Sequence, residues 1–232
     1  MAKISADKVK VYFAGFDFGT ATTSVGVELA VAALDPTTIA DNAERAIAGI
    51  RADTVEWAGL YDDSTLSPDV AGSLVIGSNT NNVFSVHIGT TTGNVAYVGT
   101  AIMFAAKAGG GVKDLVYQEA AFKPDGSWDR GKTHVIRTVF TADTDSGSID
   151  NGASSTAGFK WYIHVFSYSG VASSTISLQD GTNGATFVSV DSTSISTRTS
   201  SVKTSTGTLR RYTRLFIQPS GTLSVAIALV RV

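Results

Sequence analysis

The chain has 232 residues, a formal net charge of −2 and only 16% charged residues. Soluble domains usually carry about 25% charged residues, so much of the surface has to be neutral, and nothing in the charge suggests a basic surface that grips a phosphate backbone. Cysteine is absent, which excludes disulfides and thiolate metal sites, so stability has to come from packing or assembly.

Targeting signals are not evident. Residues 1–5 read MAKIS and lack the apolar stretch of a signal peptide. No run of about 18 apolar residues occurs that would predict a membrane-spanning helix. We therefore expect a soluble intracellular product without membrane contact.

The first strands are predicted near the N-terminus. Residues 11–18 are aromatic and β-prone, and residues 19–23 read as the turn of a hairpin. Residues 24–33 and 53–60 alternate apolar and polar side chains, which is typical of half-buried strands. Residues 35–52 lie between them, and we interpret this segment as a long arm that interrupts two paired strands.

One short helix is predicted over residues 68–76. Ser67 is a suitable N-cap, Pro68 favours the first helical position and Asp69 suits the positive end of the helix dipole. The spacing predicts one apolar face, which consists of Val70, Leu74 and Val75.

The rest of the chain predicts further short strands separated by turns. Residues 141–158 contain few large apolar residues and cannot form a core by themselves. The sequence thus predicts an all-β protein with a β-sandwich and its helix in residues 1–140, a linker at 141–158, and a second β-sandwich in 159–232. One large β-domain is the alternative.

No catalytic group is predicted. His87, His134 and His164 lie singly in β-prone runs and not at metal-ligand spacing, so we interpret them as structural. The adjacent pair Asp62 and Asp63 suits a turn. No serine lies in a G-x-S-x-G motif. We expect no catalytic residues, no cofactor and no metal, and hence no enzyme.

Two motifs resemble ligand sites. Residues 126–133, GSWDRGKT, match the phosphate-loop pattern, but the chain continues into the β-prone HVIRTVF where that loop needs a helix, so we interpret the match as chance. The acidic tract 143–150 resembles a calcium loop, but its twelfth position is Ser154, where a carboxylate is needed. A linker is the favoured interpretation.

Basic and aromatic residues raise two further hypotheses. Arg210, Arg211 and Arg214 alternate with aromatic and apolar residues, with Arg198 and Lys203 nearby, as in some nucleic-acid sites; in a neutral chain we favour a solvated strand face. The other hypothesis is a platform of aromatic side chains that stacks against sugars. Aromatics in β-sandwiches more often belong to the core, and we favour that interpretation. The candidate residues of the platform are Trp161, Tyr162 and Tyr168.

The first 140 residues resemble the tail tube (major tail) proteins of long-tailed bacteriophages. The resemblance lies in the opening VYFAGFDFGTATTSV, the strand VGVELAVAALD, the arm PTTIADNAERAIAGIRA and the strand and turn DTVEWAGLYDD, followed by the short helix and later Gly-rich strands. It rests on the order of these parts and not on an invariant motif.

This resemblance implies a β-sandwich subunit that forms hexameric rings, which stack into a tube with other phage tail proteins and conduct DNA without binding it specifically. The location would be the virion, after synthesis in the host cytoplasm. Residues 159–232 would be an added immunoglobulin-like or carbohydrate-binding-like sandwich. We expect the arm to contact a neighbouring subunit through Ile39, Ile47 and Ile50.

Two other functions stay open at this point. The same β-modules would serve in a capsid decoration protein or head fibre, which ring or tube formation by the purified protein would distinguish. A sugar-binding adhesin would act through the second module instead.

Overall fold

The computed structural model describes residues 8–34, 47–51, 53–62, 64–76, 82–111, 115–126 and 128–232. These residues form eighteen β-strands and one α-helix, which confirms the predicted all-β class. The helix is α1 (Pro68–Val75), and the strands are β1 (Val9–Phe13), β2 (Phe16–Asp17), β3 (Thr22–Glu28), β4 (Val31–Leu34), β5 (Ile47–Arg51), β6 (Thr54–Leu60), β7 (Asn82–Ile88), β8 (Val95–Gly109), β9 (Tyr117–Pro124), β10 (Asp129–Phe140), β11 (Thr144–Asp145), β12 (Ile149–Asp150), β13 (Phe159–Gly170), β14 (Ser174–Gly181), β15 (Val188–Ile195), β16 (Ser200–Ser205), β17 (Tyr212–Gln218) and β18 (Gly221–Arg231).

Most strands belong to one 11-stranded sheet that continues in two directions from β8. The first half of β8 pairs with β7 and β10, and its second half pairs with β9, with a register shift between Met103 and Ala105. From β9 the sheet continues to β6 and then β3. One long strand therefore belongs to two layers, β10–β8–β7–β1 and β8–β9–β6–β3.

Aromatic side chains fill the space between these two layers. The ring centroids of Phe84 and Phe122 lie 4.5 Å apart, and the ring of Trp57 meets that of Phe18 edge-on at 5.0 Å. The indole N–H of Trp57 donates a 2.7 Å hydrogen bond to Thr22 Oγ1, which joins β6 to β3. Each fully buried aromatic contributes roughly 1.5–3 kcal/mol to folding.

A second core lies between β10–β18–β13 and a separate five-stranded sheet with the order β11–β17–β14–β15, in which β12 also pairs with β17. Alternate residues of the facing strands supply the buried side chains, as the period of two requires. They include Phe159, Trp161, Ile163, Ile176, Leu178, Leu215, Ile217 and Ile227.

A third apolar contact, which we call the junction, joins strands β7 and β8 to strands β13 and β18. Val83 of β7 and Val98 of β8 lie in one cluster with Tyr162 of β13 and Val230 of β18. Residues 223–230 of β18 are consequently buried without interruption. A continuous apolar run of this kind is what a strand buried on both faces requires.

The predicted linker does not interrupt the sheet. β10, from the first predicted domain, pairs with β18, the last strand of the chain, in a register that includes Thr133↔Ala228 and Phe140↔Leu223. Strands β11 and β12, from the linker, pair with β17. The division of the chain into two domains stays a prediction.

The helix begins where the sequence predicts. Ser67 has an extended backbone, and its hydroxyl accepts a 3.4 Å hydrogen bond from the N–H of Val70. The predicted apolar face was wrong at Leu74, whose side chain is 68% exposed. The helix contacts β8 through small residues instead, since a Cβ on Gly72 would lie 3.3 Å from that of Ala106.

The first hairpin turn lies earlier than predicted. It is formed by Ala14 and Gly15, with φ values of 52° and 78°, and pairs Phe13 with Phe16. Two successive residues with positive φ match the right-handed twist of the flanking strands. The predicted turn at residues 19–23 follows β2 and leads into β3 instead.

Candidate assembly surface

The layer β3–β6–β9–β8, which we call the outer sheet, has two edges without strand partners in the described chain. Strand β3 pairs with β6 alone. Beyond Ala101, β8 pairs with β9 on one side and with no described strand on the other. Unpaired edges present free N–H and C=O groups, which are a template for strands of another chain.

Large apolar side chains are exposed around this sheet. Every exposed leucine, isoleucine, phenylalanine and tyrosine of the described residues lies between residues 29 and 117. After residue 117, the large apolar side chains that are exposed are all valines. On β8, residues 104–108 are exposed in succession, so side chains on both faces of this stretch reach solvent. The exposed set comprises Leu29, Leu60, Tyr61, Leu74, Ile76, Phe104, Leu115 and Tyr117.

The solvent face of the outer sheet carries small side chains and a slight excess of acidic over basic residues. Glu56 lies opposite Gly26 on β3 and Ala121 on β9, and Glu119 lies opposite Ala58. Lys107 lies 3.8 Å from Glu119, but both are more than half exposed, so this ion pair adds little stability. The exposed charged residues of the four strands are Glu28, Glu56, Glu119, Lys107 and Lys123.

The predicted arm forms a two-stranded antiparallel ribbon at its base. Strands β4 and β5 pair with each other, with Leu34 opposite Ile47, and with no other described strand. The predicted interface residues are only partly covered. Ile39 lies outside the described residues, and Ile47 and Ile50 are described as backbone of β5 alone, so their contact with a neighbour stays a prediction.

A buried carboxylate lies where the ribbon joins the outer sheet, between β5 and β6. Asp53 is 7% exposed. Its Oδ1 accepts a 3.0 Å hydrogen bond from the N–H of Ala30, and its Oδ2 accepts a 3.3 Å hydrogen bond from the N–H of Trp128. One side chain thus connects the start of β6 to the end of the ribbon and to the start of β10. In the sequence, Asp53 marks only the start of a predicted strand, and its partners are not evident.

The phosphate-loop match has a structural explanation. Residues 129–133 of the motif lie in β10, with no helix after them. Gly131 is required because a Cβ there would lie 2.4 Å from the carbonyl oxygen of Leu229. The amine of Lys132 donates a 2.7 Å hydrogen bond to the carbonyl of Asp150. Both key residues of the motif therefore serve the packing of β10.

The acidic tract and the basic strand neutralise each other. Arg211 donates to both carboxylate oxygens of Asp150, at 2.7 and 2.6 Å, and holds the pKa of that carboxyl well below its usual range. Arg214 lies 3.3 Å from Asp145. Two ligand-site hypotheses are thereby weakened together, since the carboxylates proposed for calcium pair with the arginines proposed for nucleic acid.

The other basic candidates are also engaged within the chain. Arg210 donates its backbone N–H to Asp180 at 2.7 Å. Lys203 forms an ion pair with Asp191. The guanidinium of Arg198 lies 4.2 Å from the ring centroid of Phe16. The sequence shows that these residues are basic, but it does not show their partners, which are distant in the chain or on another strand.

The three histidines are fully buried and belong to different strands. Burial lowers the pKa of His87, His134 and His164 to about 3, so each is neutral at neutral pH. The described residues contain no group of three or more histidine, aspartate or glutamate side chains that could hold a metal ion. The structural role predicted for the histidines fits this placement.

The proposed sugar platform is not available at the surface. Trp161 and Tyr162 are 0% and 4% exposed and belong to the second core and the junction, and the half-buried Tyr168 packs against the second core. The structure supports the alternative interpretation that these aromatics belong to the core.

No helix of the described chain is long and apolar enough to span a membrane.

No family model matches the chain, and no curated protein matches it. Solved structures do match. One is a chain of the tail of an empty gene transfer agent particle, refined with C6 helical symmetry, at 16% identity and a TM-score of 0.45, covering 55% of this chain and 97% of that one. A chain of the native gene transfer agent virion matches at 14% identity and 0.41, covering 47% and 84%.

A third match spans nearly the whole chain. It is the Dit protein of phage SPP1, described as a paradigm of the hub adsorption apparatus in phages that infect Gram-positive bacteria. The identity is 12% and the TM-score 0.41, with 97% of this chain and 99% of that chain covered. Identities and TM-scores this low assign neither a fold family nor a function to the chain.

Proposed function

We propose that the chain is a non-enzymatic structural protein of a tailed-bacteriophage virion, and that it is the tail tube subunit, which forms hexameric rings stacked into a DNA conduit. The observation that carries the proposal is the outer sheet with two edges, β3 and the second half of β8, that no other described strand covers. Open edges recruit further strands. A ring of identical copies supplies those strands and leaves no edge exposed.

Strand directions support a ring of copies. Neighbouring strands of the outer sheet are antiparallel throughout, so β3 and β8, three steps apart, run in opposite directions. A second copy placed beside the first therefore brings its β3 antiparallel to the first copy's β8, and the pattern repeats. Because the two edges differ, the contact is heterologous, and such contacts generate rings or helices and not two-fold dimers.

The distribution of apolar surface supports the same interface. Phe104 lies on the stretch of β8 that has β9 as its one described strand partner and is 52% exposed, and Leu115, just before β9, is 76% exposed. Aromatic side chains are enriched where one protein contacts another. Assembly through the outer sheet would cover it.

The solvent face of the outer sheet would line the channel. Glu28, Glu56 and Glu119 outnumber Lys107 and Lys123 on this face, and Lys107 is paired with Glu119, so the face has little attraction for the phosphate backbone. The small residues between them leave room, and DNA would pass without adhering. Glu56→Lys in particles should slow DNA ejection, and an unchanged ejection rate would contradict this placement.

Electron microscopy of the purified protein tests the proposal. Negative staining should show rings or tubes, whereas a decoration protein would bind capsids without forming them. Phe104→Glu places a charge on the β8 edge and should leave folded monomers in sedimentation velocity experiments. Val171→Glu is the matched control, since Val171 is fully exposed in the turn between β13 and β14. Wild-type protein that stays monomeric at high concentration would refute the proposal.

A further inference from the structure

The ribbon of β4 and β5 needs an anchor to hold a fixed direction. Its two strands pair only with each other among the described strands. An isolated two-stranded ribbon is at best marginally stable in water. The orientation of the ribbon relative to the outer sheet is therefore set where the chain leaves β3 and enters β6.

Asp53 occupies this position. It is the second residue after β5 and the last before β6, and it is buried although it is a carboxylate. One oxygen accepts the N–H of Ala30, which directly precedes β4. The backbone on both sides of the ribbon is thus held at its base by one side chain. Hydrogen bonds to a carboxylate are stronger than those between neutral groups.

The second carboxylate oxygen of Asp53 ties this base to the rigid core. It accepts the N–H of Trp128, whose ring centroid lies 5.0 Å from that of Phe84. Trp128 is 3% exposed and belongs to the aromatic core between the layers β10–β8–β7–β1 and β8–β9–β6–β3. The anchor therefore connects the ribbon to packed side chains and not to another loop.

We propose that Asp53 is a positioning residue for assembly, which fixes the direction of the β4–β5 ribbon so that the ribbon meets a second copy of this chain. The partner rests on the proposed function. The anchoring of the ribbon does not, because the contacts of Asp53 lie within one chain.

Asp53→Asn tests the anchor with little change of shape. Asparagine has one oxygen and one amide nitrogen, and the nitrogen cannot accept a hydrogen bond from a backbone N–H. Amide hydrogen exchange in residues 31–34 and 47–51 of the full-length protein should become about tenfold faster or more, which corresponds to about 1.4 kcal/mol. The protein concentration needed for ring formation should rise by a similar factor.

Asp180→Asn is the matched control. Asp180 is 1% exposed and also accepts a backbone N–H, that of Arg210, but it lies on β14. This variant should leave exchange in the ribbon and ring formation at wild-type values. If Asp180→Asn changed the ribbon as much as Asp53→Asn does, the effect would reflect general destabilisation, and the proposal would be overturned.

The outcomes separate the two proposals. Wild-type protein that forms no rings ends the proposed function, while exchange in the monomer still tests the anchor. Wild-type exchange in the Asp53→Asn ribbon overturns the anchor, and faster exchange with unchanged ring formation overturns its role in assembly. Equal loss of protection in β7 and β18 would make Asp53 a general stability residue and would also overturn the proposal.

Discussion

The hydroxyl of Ser85 on β7 lies 2.9 Å from Nε2 of His164 on β13 and joins these two strands, which also meet in the junction. The same hydroxyl lies 3.0 Å from Nε2 of His87, whose Nδ1 lies 2.8 Å from the hydroxyl of Thr133. All four side chains are buried. A hydroxyl can donate to one imidazole and accept from another, so neutral histidines satisfy this network.

Acid should destabilise the protein through its histidines. Burial lowers the pKa of His87, His134 and His164 from 6.5 to about 3, and the nearby Lys132 also lowers that of His134. The histidines of the unfolded chain bind protons below about pH 6.5, whereas those of the folded chain stay neutral down to about pH 3. The free energy of unfolding should therefore fall with pH by up to roughly 1.4 kcal/mol per pH unit for each histidine.

Urea unfolding between pH 7 and pH 5 measures this effect, because most carboxylates stay ionised over that range. The hydroxyls of Ser85, Thr133 and Thr213, which face the imidazoles, do not titrate there. His134→Asn leaves two of the three buried histidines and should reduce the slope by about a third. A free energy of unfolding that is flat between these pH values would contradict the prediction.

Gly131→Ala should destabilise the protein although the change adds only a methyl group. The new Cβ would lie 2.4 Å from the carbonyl oxygen of Leu229 and 2.8 Å from a methyl of Val230. Overpacking of this kind costs roughly 1–3 kcal/mol. Gly26→Ala is the control, since no atom lies within 4 Å of its Cβ. Equal stability of the two variants in denaturant unfolding would show that β10 and β18 can move apart.

The fragment 159–232 should not fold as a stable monomer. It lacks β10, the partner of β18, and the β7 and β8 side chains that cover Tyr162 and Val230 in the junction. A central strand would become an edge with an exposed apolar face, which favours aggregation. A soluble fragment with a cooperative unfolding transition would instead support the predicted domain boundary.

The local elements were largely predictable from the sequence. The capping signal at Ser67 and Pro68 located the helix, and the alternation around Val55 and Trp57 located β6. Such patterns extend over a few residues and can be recognised without knowledge of the fold. The same local reasoning failed at Leu74, because which face of a helix is buried depends on what it contacts.

The sequence by itself determined the all-β class, the position of the helix and the scarcity of charge. Only the tertiary structure decided which residues meet: Asp53 with Trp128, Asp150 with Arg211, Ser85 with His164. These partners are 61 to 79 residues apart in the chain. Strand periodicity indicates which face a side chain occupies, but strand order and register decide its neighbour, and these follow from how all the apolar faces are buried together.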